Sequence, residues 1–250
     1  MKYGNANVFI DGKFVPGGFC VEKGRFTEVF DRCDCAGDVD LQGACVIPGL
    51  VDIHVCGCGG GAFSLGDYDG LVSMARSLPK KGVTAFAPTA GLLSYEAIEQ
   101  ALSTAVLLRR HLPRDCAWPA AVHMAAPVST EGRPDFDTFR SLFEFMGGII
   151  GLVDVDPEAE GAMEFVERAK TFCAVSTEPG QTQPVYTRFR HALANGVPVE
   201  EAILAATLLP ARRIGRDYEV GSIARYKRAD FIVCDKDLNF LQVFLGGEAI

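Results

Sequence analysis

Apolar positions follow two rhythms along the chain. Residues 7–10 and 13–15 are strand-like runs on either side of Asp11-Gly12, and residues 19–22 and 25–30 flank Lys23-Gly24 in the same way. A two-residue turn between such runs needs positive φ at both positions, so each pair predicts a hairpin. Residues 38–46 add another strand, and no helical period interrupts this region.

From Ile47 the rhythm becomes strand then helix. Strands are expected at 50–55, 83–88, 120–124, 149–155 and 172–177. Between them Leu71, Met74, Ala75 and Leu78 recur at helical spacing, as do Ile98, Ala101, Leu102 and Ala105 behind a capping Ser94. A third helix is expected at 136–145. A fourth should start at Asp156-Pro157, with Ala159, Ala162, Met163 and Val166 as its buried stripe. Such alternation implies parallel strands joined by right-handed helical crossovers. Residues 184–195 and 198–208 then read as two successive helices closed off by Pro210 and Gly215. Strands return at 230–234 and 240–244. Two β pieces therefore bracket the βα body, and they are expected to pair into one small sandwich.

Composition narrows the class. The 250 residues are 48% hydrophobic and 22% charged, enough apolar material for a sizeable core. Nine cysteines are an odd number at low density, so free thiols in a reducing cytoplasm are expected rather than a disulfide scaffold. Neither a membrane-length apolar run nor a signal-peptide pattern is visible. The net charge of −8 opposes binding to a phosphate backbone.

The candidate chemistry clusters after the 50–55 strand. That strand delivers His54 at its carboxyl end, where sites form in βα folds. His54, Cys56 and Cys58 are spaced two apart and share a face while the chain stays extended, as metal ligands would. The competing reading makes the two cysteines small buried hydrophobes, and residue pattern alone favours it. Glycines at 57 and 59–61 lack the Lys-Ser/Thr ending of a phosphate loop, but they would let a ligand approach the backbone. Cys33 and Cys35 form a second pair without a visible partner.

The run Pro48-Gly49-Leu50-Val51-Asp52-Ile53-His54 resembles the opening barrel strand of the amidohydrolase superfamily. The loop Gly57-Cys58-Gly59-Gly60-Gly61-Ala62-Phe63 narrows the resemblance to N-acetylglucosamine-6-phosphate deacetylases. Thr84-Ala85-Phe86-Ala87-Pro88-Thr89 and Asp156-Pro157-Glu158 are similar to the same family. So are the run from Gly196 through Thr207-Leu208-Leu209-Pro210-Ala211-Arg212 to Gly221-Ser222-Ile223-Ala224, and Ala229-Asp230-Phe231-Ile232-Val233. The resemblance implies a distorted (β/α)₈ barrel plus a small β-sandwich from both termini. It also implies a divalent metal (zinc or similar) and hydrolysis of the acetamide of an amino-sugar phosphate.

This sequence departs from that pattern. Residues 48–218 would be the barrel, which is fewer than the roughly 200 a small (β/α)₈ barrel needs. An incomplete TIM-barrel-like body of about five βα units is therefore expected, with residues 1–47 and 219–250 forming the sandwich. An open sheet edge points to a homodimer. In the run His123-Met124-Ala125-Ala126-Pro127, Ala125 stands where the resemblance implies the main metal-ligating Glu. The chain has four histidines, and none fits the two further imidazole ligands implied. Gly180-Gln181-Thr182 could align with the fifth-strand ligand motif. Alternatively, residues 173–178 are the eighth strand, with Glu178 in place of the catalytic Asp.

Impaired catalysis is the expectation, since a ligand set so reduced loses its means of activating water. A replacement metal site would draw on His54, Cys56, Cys58 and His123, with Glu178 as catalytic group and Gly59, Gly60 and His123 contacting substrate. The alternative is a non-catalytic binding protein or relic, with an amino-sugar phosphate as the small-molecule partner. Arg188, Arg190 and His191 are candidates for a phosphate grip, against the simpler reading of a solvated helix face.

Overall fold

The computed structural model describes residues 1–31, 37–63, 66–91, 94–146, 148–178 and 183–250. Cys33, Cys35 and Gly180-Gln181-Thr182 lie outside these. Both termini contribute to one sheet. Its strands are β1 (Lys2–Ile10), β2 (Lys13–Glu22), β3 (Arg25–Phe30), β4 (Val39–Asp40) and β5 (Cys45–Pro48), with β14 (Phe231–Cys234), β15 (Phe240–Leu245) and β16 (Glu248–Ala249) from the other end. They run in the order β16-β15-β14-β5-β1-β2-β3, with β4 beside β1. The expected hairpin turns are present: Asp11 and Gly12 have φ of 49° and 81°, Lys23 and Gly24 of 50° and 76°. The sandwich is thus one continuous, curled sheet whose ends fold over a shared core. Tyr3 of β1 meets Phe244 of β15 edge to face at 5.8 Å, and its hydroxyl donates to the Gly247 carbonyl.

Alternation along these strands feeds two cores. Val8, Val46, Phe231 and Val233 face the sheet's own aromatic core. Their neighbours Phe9, Ile47, Ile232 and Cys234 join the large core beneath the βα body. All four β14 residues are consequently buried.

The βα body is a curled half-barrel of parallel strands. β6 (Leu50–Val55) pairs with β9 (Val83–Ala90). Next comes a broken strand made of β10 (Trp118–Pro119) and β11 (Val122–Ala125), followed by β12 (Ile150–Asp154) and β13 (Ala174–Ser176). A two-stranded flap, β7 (Gly57–Cys58) and β8 (Gly61–Ala62), follows β6. Among the described residues β6 pairs only with β9 and β13 only with β12, so both edges that prompted the dimer expectation carry no further strand. The outer helices are α1 (Tyr68–Ser77), α2 (Tyr95–Arg110), α3 (Phe136–Phe145) and α4 (Ala162–Ala169). Helix α4 starts later than expected, after Gly161 at φ 82°. That shift turns Met163 outward, 63% exposed, and buries Phe165 instead.

After β13 come α5 (Val185–Ala194), α6 (Val199–Ala206) and a helix the sequence reading did not anticipate, α7 (Leu208–Arg213). Pro210 is not a stop here. It sits in the first turn of α7, where a missing N–H costs no intrahelical bond. This helix and the segment after it cover the concave face of the half-barrel. Ala211, Ile214 and Val220 pack on Val51, Ala85, Ala87, Ala120, Ala121 and Leu152. Small strand residues make that approach possible: a Cβ on Gly151 would fall 2.6 Å from Ala121 Cβ and 3.1 Å from Ile214 Cβ. Among the described residues no helix is long and apolar enough to cross a membrane.

Candidate metal centre

Parallel strands bring their carboxyl ends to one rim, and three of them carry titratable groups there. His54 comes from β6, His123 from β11 and Asp154 from the end of β12. The Nδ1 atoms of the two histidines are 3.1 Å apart, and the Thr89 hydroxyl lies 3.4 Å from His123 Nδ1. One donor atom from each of His54, His123 and Asp154 can be chosen so that all lie within 4.8 Å of one another.

Directionality tells the close contacts apart. His123 Nε2 lies 2.8 Å from Asp154 Oδ2. The same nitrogen is buried without a hydrogen-bond partner of acceptable geometry. The approach is therefore a contact between an imidazole nitrogen and a carboxylate that are not aimed at each other. A buried, unpaired ring nitrogen is costly unless something else satisfies it. Two imidazoles and a carboxylate converging on one point are a donor set that suits zinc or a similar divalent ion, with a fourth position left open. The residues present fit such an ion.

The surroundings favour neutral imidazole at His54. Burial, with His123 alongside, pushes its pKa below the ordinary value, so the ring keeps a lone pair for a ligand. Behind it, Asp52 is 2% exposed. Its carboxylate accepts the His54 backbone N–H at 3.2 Å and the Val185 N–H at 2.9 Å, tying the strand end to the first turn of α5. Burial pushes the Asp52 carboxyl above the usual range, while those two bonds and Arg188 pull it back.

The structure brings two of the anticipated residues, His54 and His123, together. Cys56 stays at the exposed margin, its Sγ 3.5 Å from His54 Nε2, with burial raising its thiol pKa. Cys58 turns toward α1, where Ser77 Oγ donates to its sulfur at 2.9 Å. Gly59 and Gly60 form the turn of the β7–β8 flap, and the Gly59 carbonyl accepts the Ser73 hydroxyl. Glu178 lines a cavity of about 270 Å³ that also contains His54, His123 and Asp154. Arg188 of α5 and Arg213 of α7 line the same cavity. Arg190 instead donates to the Leu238 carbonyl and Asn239.

Asp154 escaped the sequence reading. Its signal was an acid at the carboxyl end of an apolar strand, beside the more conspicuous Asp156-Pro157. In the β11–β12 ladder Asp154 is the partner of Ala125. A carboxylate thus stands at the level of Ala125, one strand over.

Comparison with known proteins gives the family. The model for "Amidohydrolase family" matches residues 103–250. The chain belongs to the amidohydrolase family. The N-acetylglucosamine-6-phosphate deacetylase of Rattus norvegicus is 32% identical over 94 residues, which is 37% of this chain and 22% of the rat protein. The matched stretch is therefore a minor part of that relative. The crystal structure of N-acetyl-D-glucosamine-6-phosphate deacetylase from Mycobacterium smegmatis superposes with a TM-score of 0.80 at 19% identity, covering 100% of this chain and 99% of that one. A mutant of the same enzyme in complex with N-acetyl-D-glucosamine-6-phosphate gives 0.79 at 18%, covering 100% and 98%. At such identities the likeness is one of fold. Membership in this amidohydrolase family implies a divalent metal, and the His54–His123–Asp154 group is where this chain could hold one.

Proposed function

We propose that this amidohydrolase cleaves the amide of an N-acylated amino-sugar phosphate, the class to which N-acetylglucosamine 6-phosphate belongs, and does so slowly. The observation that carries the reading is the convergence of His54, His123 and Asp154 on a rim cavity, with His123 Nε2 buried and unpaired. A divalent ion held there would supply Lewis acidity to an amide carbonyl and to water. Arg188 and Arg213 give the same cavity two cations suited to a phosphate monoester. Glu178 lines the cavity, and in this reading it takes a proton from water and returns it to the leaving nitrogen. In balance, water's oxygen bonds to the carbonyl carbon, the C–N bond breaks, and amide plus water become carboxylate plus ammonium. Slow turnover follows from the altered ligand set, in which Ala125 offers no donor and Asp154 serves from the next strand.

A second reading, a non-catalytic binder of the same ligand class, draws on α7, which fills the concave face beside the site. One experiment separates the two. Metal content is measured on purified protein, and acetate release from N-acetylglucosamine 6-phosphate is followed before and after chelation. About one ion per chain and chelator-sensitive acetate release are expected. Asp154→Ala should weaken metal binding by more than about 100-fold, since loss of mere outer-shell support already costs about 10–100-fold. Bound metal without acetate, or neither metal nor acetate, would overturn the hydrolase reading and favour the binder.

A further inference from the structure

Beyond the rim cavity lies a second hollow of about 730 Å³, and the two share Asp154 and Glu178. Their walls differ in kind. The rim cavity carries Arg188 and Arg213. Among the described residues the second hollow has no lining cation, and its apolar wall is Ala125, Val128, Pro134, Val155 and Ala159. Val128 is 50% exposed, so its side chain has no protein partner for half its surface. Ala125, whose side chain is a single methyl group, lines this hollow beside Asp154. We propose that this groove is an acyl-chain subsite and that the chain prefers amides of medium-length fatty acids to acetamides. The inference rests on the hydrolase reading above and deepens it by naming the acyl group.

Charge orients the ligand. A phosphate belongs beside Arg188 and Arg213, which line only the rim cavity, whereas the groove has no such cation and adds Asp156 to the two acids the cavities share. An uncharged alkyl chain is not repelled. With the phosphate in the rim cavity and the amide carbonyl at the His54–His123–Asp154 group, the acyl tail is directed past Ala125 toward Val128. Water adds to the carbonyl carbon, the C–N bond breaks, and the products are the medium-chain carboxylate and the amino-sugar phosphate with its ammonium.

The test compares N-acetyl-, N-butanoyl- and N-hexanoyl-glucosamine 6-phosphate with the metal-supplemented protein. Each fully buried methylene is worth about fourfold in binding, and about twofold where half the chain stays wet. Over four added methylenes, kcat/KM for the hexanoyl compound should exceed that for the acetyl compound by about 15-fold. Val128→Asp, a change at an exposed position, should bring that ratio down toward one. Equal or better cleavage of the acetyl compound overturns the subsite while leaving the hydrolase reading intact, as does a ratio indifferent to Val128→Asp. If no compound is cleaved, the hydrolase reading fails and the groove is judged by calorimetry. Tighter binding of the hexanoyl than of the acetyl compound supports it, and equal affinity overturns it.

Discussion

The terminal sheet and the parallel half-barrel bury their inner faces by opposite means. In the terminal sheet the core is aromatic. Phe231 stacks on Phe244 at 4.3 Å and meets Phe19 and Tyr3 edge to face at 4.8 and 5.3 Å. In the half-barrel the strands give the concave core mostly alanines, with Val51 and Leu152, and further bulk arrives from outside on Ile214 and Val220. One region is filled by its own strands through short hairpins. The other depends on a helix contributed from 60 or so residues beyond its second-last strand. Large side chains make a core self-sufficient; small ones make it dependent on a visitor, and the visitor then shapes whatever lies next to it. Leu209, Pro210 and Arg213 of α7 line the rim cavity, so closure of the half-barrel and construction of the site are one event.

Phe231→Ala tests the self-filled core and carries the largest expected effect. Phe231 is fully buried among four aromatic rings, and truncating such a residue costs about 3–5 kcal/mol. Urea denaturation should show the unfolding free energy falling by that amount, with a lower midpoint. Metal affinity of the surviving folded protein should not change, because this core does not touch the rim. A parallel loss of metal affinity would mean that the two regions are not separable in this way.

Gly151→Val tests the dependent core. The added Cβ falls 2.6 Å from Ala121 Cβ, closer than real contacts come, and 3.1 Å from Ile214 Cβ, tighter than most, so the neighbouring strand and the end of α7 must give. Overpacking of this kind costs about 1–3 kcal/mol. Here stability and site should suffer together: metal affinity falls alongside the denaturation midpoint as Arg213 and Leu209 are displaced. A destabilised protein with unaltered metal binding would detach the helix from the site.

The same contrast explains what could be read in the sequence. Hairpins at Asp11-Gly12 and Lys23-Gly24 were legible because local backbone sterics alone select those residues. Strand–helix alternation was legible from periodicity, and the incomplete barrel from the family resemblance set against the short βα stretch. The rolled-up sheet was not, because nothing local says that Tyr3 and Phe244 will meet across it. Helix α7 was hidden by Pro210, a residue that ends one helix and begins another with equal ease. His54 and His123 were visible as strand-end histidines, but their meeting depends on a register spanning three strands. Asp154 was missed for the same reason: only the β11–β12 pairing shows that it stands across from Ala125.

Helix ends repeat the contrast at the smallest scale. The outer helices α1, α2 and α3 are capped by neighbours in sequence, Asp67, Ser94 and Asp135, each accepting a backbone N–H of its own first turn. The closing helices α5, α6 and α7 have no such side-chain cap. Helix α5 is met instead by Asp52 from β6, so its start is fixed by the buried strand rather than by its own sequence. Ser94→Ala should therefore be a purely local injury. It removes one exposed hydrogen bond, Ala97 N–H to Ser94 Oγ at 3.3 Å, and should lower stability by about 1 kcal/mol. Thermal melts should register that loss while metal stoichiometry and turnover stay at the wild-type level. If Ser94→Ala instead disturbs the site, the outer layer takes part in positioning it, and the division between self-sufficient and dependent regions would have to be redrawn to include α2.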